Sequence, residues 1–276
     1  MPLTDTRALF RPVSRELVAL LRSFTPEDWD RHTIAGHWVV RDVAAHLIDL
    51  MLRRLSFHRD RMAPPPPRRP IASERDFVEF INGINAAWVD ASKRLSPRVL
   101  TDLLGNASGD LADWFEGLPL EAPALFGVSW AGESESAGWF DVGREFTELW
   151  HHQEQIRLAV GAPSLDNPRY LRATLEIALR GLPYAYRDVQ RAPGQTLQID
   201  IAGQSGGTWT LARDVDRWTL HQGAPSAATA AARLSETAAW KLLFNALPRA
   251  ESVAAVEIEG DSALADPLLA ARSVIV

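Results

Sequence analysis

Four runs of apolar side chains at helical spacing occupy the first 160 residues, and a segment that cannot be helical separates the second from the third. Residues 4–24 carry Leu9, Phe10, Val13, Leu17, Leu20 and Leu21 on one helical face, and Thr25-Pro26 ends the run. A connector containing Trp29 and Gly36-His37-Trp38 leads into a second helix over about residues 40–61. The next segment, Ala63-Pro-Pro-Pro-Pro-Arg-Arg-Pro70, reads as a stiff extended crossover. Ser73 with Asp76 three residues on predicts the cap of a third helix, along which Phe77, Phe80, Ile81, Ile84 and Trp88 repeat. A further helical piece follows Pro97. After a Gly- and Pro-containing region (residues 117–138) comes a helix bearing Glu148 and His152, which closes at Gly161-Ala-Pro163. Four principal helices with a long crossover describe a four-helix bundle over residues 1–165.

Beyond residue 165 the period changes. Asp166-Asn-Pro168 predicts the cap of a helix running to about Arg187, and Leu197-Gln-Ile-Asp-Ile201 then alternates as a half-buried strand does. Gly203-Gln-Ser-Gly-Gly207 predicts a turn into a strand at Trp209–Leu211, with further strands at Trp218–Leu220 and near Ala227–Leu234. A helix from Ser235 through Leu247, a strand at Val253–Ile258 and a last helix after Gly260-Asp261 complete the pattern. Residues 166–276 therefore predict a small α+β domain with a mostly antiparallel sheet. The whole chain reads as an α+β protein of two domains.

Several functions are excluded by what the chain lacks. The net charge is −6 and no basic run suits nucleic acid. No stretch reaches the roughly 18 apolar residues needed to span a bilayer. The N-terminus carries charges where a signal peptide needs an unbroken apolar run, so the chain reads as cytoplasmic. There is no cysteine, which rules out disulfides, thiolate metal sites and a cysteine nucleophile. Any thiol chemistry must use a thiol brought by a small molecule.

Three residues carry the chemistry. Glu148 and His152 are four apart on a helix, so both project from one face about 6 Å apart along the axis and can reach one divalent cation. His46 has Val43 and Leu50 at i−3 and i+4, which points it into an apolar stripe. Together they can make a His2Glu site with an open fourth position, the pattern of catalytic zinc. Each has a plainer reading: His46 as a core histidine bonded to a backbone carbonyl, Glu148 and His152 as an exposed i,i+4 pair. His151, at i+3 from Glu148, competes with His152 as the ligand. Arg144, one turn before Glu148, is a candidate catalytic cation for an anionic substrate or else a surface arginine. Asn82 and Asn85 sit mid-helix beside Gly83, where asparagine is a poor helix former; they are candidate cofactor-binding residues or interhelical hydrogen-bonding groups. Asp42 and Asp49, one turn either side of His46, can act behind the ligands or stand as solvated charges. Trp38 and Trp150 read as packing that shields the site.

Trp38-Val-Val-Arg-Asp-Val-Ala-Ala-His46-Leu, with Glu148-Leu-Trp-His-His152-Gln-Glu-Gln-Ile-Arg157-x3-Gly161-x-Pro163, resembles the mycothiol-dependent maleylpyruvate isomerase family. The resemblance implies a DinB-like metal-binding four-helix bundle, followed by a domain similar in shape to sterol carrier proteins. It implies zinc ligation by His46, Glu148 and His152, with mycothiol or another small thiol as cosubstrate and a small electrophile as substrate. Two positions depart from the family pattern. Gln155 stands where many relatives carry an aspartate, and Val39 replaces the usual Thr or Ser before the His46 helix, losing a cap oxygen worth roughly 1 kcal/mol. The expected function is a metal-dependent isomerase or thiol transferase, acting as a monomer or homodimer. The alternatives are a metal-dependent hydrolase and a non-catalytic metal- or small-ligand-binding module.

Overall fold

The structure, a computed structural model, describes residues 1–67, 69–165 and 167–275. The chain divides into two compact units: Thr6–Pro119 with Glu148–Ser164, and Met1–Asp5 with Leu120–Thr147 and Leu165–Val276. Among the described residues, the first is built from helices with one isolated β-bridge; the second contains the sheet. The α+β class expected from the two periodicities is the class observed.

In the helical unit, α1 (Arg7–Arg22) and α2 (Val40–Arg54) follow the first two apolar runs. One turn of π-helix, Leu55–Arg59, extends α2. Residues 61–67 then run outside any helix or strand, as the proline run dictates, while Arg68 lies outside the described residues. Helix α3 (Glu74–Ser92) begins at Ser73, whose hydroxyl accepts from the Asp76 amide at 3.1 Å and donates to its carboxylate at 2.8 Å. The piece after Pro97 is a full 20-residue helix, α4 (Pro97–Glu116), so it ranks with the principal helices. It buries Leu100, Leu104, Leu111 and Phe115, and the Phe115 ring meets Phe10 of α1 edge-on at 4.7 Å. Trp88 of α3 donates its indole N–H to the Ala45 carbonyl of α2 at 2.8 Å, in the turn that carries His46.

Helix α5 (Gly138–Val160) belongs to both units, its second half to the helical one. It stops at Gly161, whose φ of +68° only glycine adopts readily. There the Ala162 amide reaches back to the Arg157 carbonyl at 2.9 Å. Gln153, wholly buried on α5, spans a turn of α1 when its amide nitrogen faces the Val13 carbonyl (3.1 Å) and its oxygen accepts from the Leu17 amide (3.1 Å).

In the sheet unit, Asn167 caps α6 (Pro168–Ala178) by accepting from the Arg169 amide at 3.0 Å; Asp166, expected in that cap, lies outside the described residues. A 3-10 turn and the short α7 (Leu182–Ala185) continue the segment. Five strands follow: β1 (Thr196–Ala202), β2 (Gly207–Arg213), β3 (Trp218–Gln222), β4 (Ala230–Ser235) and β5 (Glu257–Gly260). Their order is β3-β2-β1-β4-β5; β1 and β4 are parallel and the other neighbours antiparallel. Leu197, Ile199 and Ile201 face the core in alternation, as the sequence pattern requires. Gly203, at φ +134°, lets the chain turn beneath Glu236, whose carboxylate accepts from the Ser205 amide at 2.8 Å. Two expectations are corrected. The helix from Ser235 is α8 (Glu236–Leu243), four residues shorter at its end than expected. Residues 249–255, read in part as strand, form α9 (Arg249–Ala255), and the strand begins only at Glu257. The last helix, α10, spans Ser262–Ala265 behind an Asp261 cap.

Because Phe115 is almost fully buried against Phe10, Phe115→Ala should destabilise the helical unit by about 3–5 kcal/mol. Urea titration followed by circular dichroism checks this, and an unchanged midpoint contradicts the packing.

Candidate metal centre

His46 lies midway along α2. Its helix has no side-chain cap at Val39, but the Asp42 carboxylate accepts from the Val39 amide at 3.2 Å, so an acidic group in the first turn does the capping. An antiparallel bridge between His32 and Val39, with Val40 N–H donating to the Arg31 carbonyl at 2.9 Å, fixes the segment ahead of the helix. Trp38 on that segment lies against the His46 ring at 4.9 Å and faces the His152 ring at 6.4 Å. It covers two imidazoles at once.

Glu148 and His152 come from the second half of α5. The His152 Nε2 lies 3.4 Å from a Glu148 carboxylate oxygen, and the His46 and His152 rings meet edge-on at 4.9 Å. One ligand atom from each of His46, Glu148 and His152 falls within 4.8 Å of the others. His46 and His152 are buried, and Glu148 is partly so. The buried Nδ1 of His46 has no hydrogen-bond partner. Two imidazoles, a carboxylate and an orphaned ring nitrogen fit a borderline divalent cation such as zinc. His151 stacks on His152 at 4.0 Å and is not among the three convergent groups.

The electrostatics fit ligation. Burial pushes the His46 imidazole well below its usual range, helped by the neighbouring His152 and opposed by Glu148, so His46 is neutral. Burial pushes the Glu148 carboxyl up, but His152, 3.4 Å away, and the other nearby imidazoles outweigh it and bring it down to about 2. Both groups rest in the protonation state that a metal ion needs.

The other candidates are placed differently. The Gln155 amide oxygen lies 2.7 Å from His152 Nδ1. Asp49, buried one turn after His46, pairs with Arg53 at 3.1 Å, and burial raises its carboxyl. Arg53 also donates to Asn85 Oδ1 at 2.9 Å, so Asn85 is engaged by a cation, while Asn82 is exposed on α3. Arg144 pairs with Asp141 at 2.9 Å and Glu145 at 3.1 Å. Sequence reasoning did not assign Arg53, and it marked Gln155 only as a departure from the family pattern. Their positions i+7 from His46 and i+3 from His152, each on its ligand's own helix face, were the available signal.

A His-Glu-His triad carried by two helices of a helical unit, in a chain that continues into an α+β unit, defines the class. The family described as the Mycothiol maleylpyruvate isomerase N-terminal domain matches residues 10–157, more than half of the chain, and the chain belongs to that family. No curated protein matches it. A crystal structure of the mycothiol-dependent maleylpyruvate isomerase is similar at 15% identity and a TM-score of 0.55, covering 94% of this chain and 93% of the other. A structure of a histidine-to-alanine mutant of that isomerase matches over the same shares, at 15% identity and a TM-score of 0.51. These likenesses show the shared fold. Among the described residues, no helix is long and apolar enough to cross a membrane.

His46 is held neutral below its ordinary value of 6.5, so the unfolded chain takes up a proton there that the folded chain refuses. Metal-free protein should therefore keep this contribution above pH 6.5 and lose stability as the pH falls from there through the depressed folded value. Chemical denaturation across this range checks the slope; the loss should be reduced in His46→Gln, and an identical slope contradicts the assignment.

Proposed function

We propose that this chain is a metal-dependent enzyme that activates an external low-molecular-weight thiol, of the mycothiol kind, for isomerisation of or transfer to a small electrophile. The observation that carries this reading is the convergence of His46, Glu148 and His152 within 4.8 Å, in a chain without cysteine. Family membership, and the likeness to structures of a mycothiol-dependent maleylpyruvate isomerase, support the thiol and the model substrate, maleylpyruvate. Zinc, held by these three residues, would supply Lewis acidity that ionises a bound thiol near neutral pH.

The protein's own residues do the rest. Glu148 is ionised and His46 neutral, so neither must change protonation to serve as a ligand. Trp38 lies against the His46 ring and faces the His152 ring, an apolar wall on one side of the triad. Addition of a thiolate to a double bond conjugated with a carbonyl turns it into a single bond. Rotation about that bond and expulsion of the same thiolate return the trans isomer and regenerate the thiol. Arg53, on the His46 helix, is the cation assigned to an anionic group of the substrate. Arg53 pairs with Asp49 at 3.1 Å and donates to Asn85 at 2.9 Å, which fixes its guanidinium in place.

Protein purified without immobilised nickel should contain stoichiometric divalent metal by elemental analysis, lost in His46→Ala and in His152→Ala. Unchanged metal in both variants contradicts the site. Maleylpyruvate conversion should require added mycothiol, and turnover without any thiol contradicts the thiol role. Arg53→Gln should raise KM for the anionic substrate roughly tenfold or more, the scale of a hydrogen bond to a charged group. An unaltered KM removes Arg53 from this role.

A further inference from the structure

We propose that Gln155 is a positioning residue of the metal centre: its side-chain carbonyl holds His152 in the tautomer whose Nε2 is free to bind a metal ion, without adding negative charge. This rests on the metal-binding part of the reading above. Gln155 Oε1 lies 2.7 Å from His152 Nδ1, three residues along the same helix, and both side chains are buried. A carbonyl oxygen can only accept, so Nδ1 of the neutral ring carries the hydrogen. Nε2 then keeps its lone pair for the ion; it lies 3.4 Å from Glu148 within the triad, and without metal the Glu148 carboxylate competes for a hydrogen on Nε2, which Gln155 holds on Nδ1 instead. In the opposite tautomer a hydrogen on Nε2 would occupy the space between His152 and Glu148, and the Gln155 amide would have to turn over.

The neutrality of the acceptor has a consequence. A group accepting from the far nitrogen of a metal-binding imidazole fixes the ring and raises its basicity, and a carboxylate does so more strongly than an amide. Two neutral imidazoles, one carboxylate and a divalent ion leave one net positive charge; a carboxylate at position 155 would cancel it. Gln155 thus trades metal affinity for a centre that attracts an anionic fourth ligand such as a thiolate.

The test uses the full chain, labelled with nitrogen-15 at histidine and stripped of metal. Long-range proton–nitrogen spectra near neutral pH should show His152, assigned by its loss in His152→Ala, as the Nδ1–H tautomer. Gln155→Leu should move it toward Nε2–H and weaken zinc binding, titrated against a chromophoric chelator, by about 10–100-fold. Gln155→Glu should retain the tautomer and bind zinc more tightly than the native chain. An unchanged tautomer and zinc affinity in Gln155→Leu overturn the proposal. So does a Gln155→Glu variant that binds zinc no more tightly, which serves if the leucine variant fails to fold. A native chain that takes up no zinc would instead count against the metal-binding reading, whereas the tautomer is read without metal.

Discussion

Two imidazoles and a carboxylate lie together in the interior of a helical unit, where a lone charge costs several kcal/mol to bury. Much of the surrounding structure makes that arrangement tolerable. Glu148 keeps its charge because His152 sits 3.4 Å away and the other histidines are close. His46 gives up its charge to burial, and its Nδ1 is left without a partner. An unsatisfied buried ring nitrogen beside an ionised carboxylate is a poor way to build a core. It is an economical way to build a receptor for a cation.

The helices are then supports for that receptor. The bridge at His32 and Val39, the Asp42 cap and the Trp88–Ala45 hydrogen bond fix α2 around His46. The Gln153 amide ties α5 to α1, one residue beyond His152. Arg53 links Asp49 of α2 to Asn85 of α3, so a fixed cation stands two turns along the His46 face. The Trp88–Ala45, Arg53–Asn85 and Gln153 hydrogen bonds run between helices, and rigidity of this kind is what a metal site with defined geometry requires.

Much of this was legible in the sequence because period and spacing are local properties. The apolar repeats placed α1, α2, α3 and α5, and the Glu148-x3-His152 spacing put both groups on one face. Helix α4 was read only as a piece because Gly105, Asn106, Ser108 and Gly109 dilute its pattern, and tertiary burial of Leu104 and Leu111 overrides that weakness. The strand expected at residues 253–258 was misplaced because Val253 and Val256 favour extended chain, whereas residues 249–255 form a helix with Val253 exposed. Arg53 was overlooked, and Gln155 marked only as a departure from the family pattern, for a different reason. A partner behind a ligand is recognised only once the fold has brought donor and acceptor within reach.

The account stands or falls on a three-ligand centre with a position open to a thiol. X-ray absorption at the zinc edge of the loaded protein measures this directly. It should show two imidazoles and light oxygen or nitrogen scatterers near about 2.0 Å, with a sulfur scatterer at about 2.3 Å appearing only after a small thiol is added. A shell without imidazole scattering, or one that thiol leaves unchanged, would contradict it.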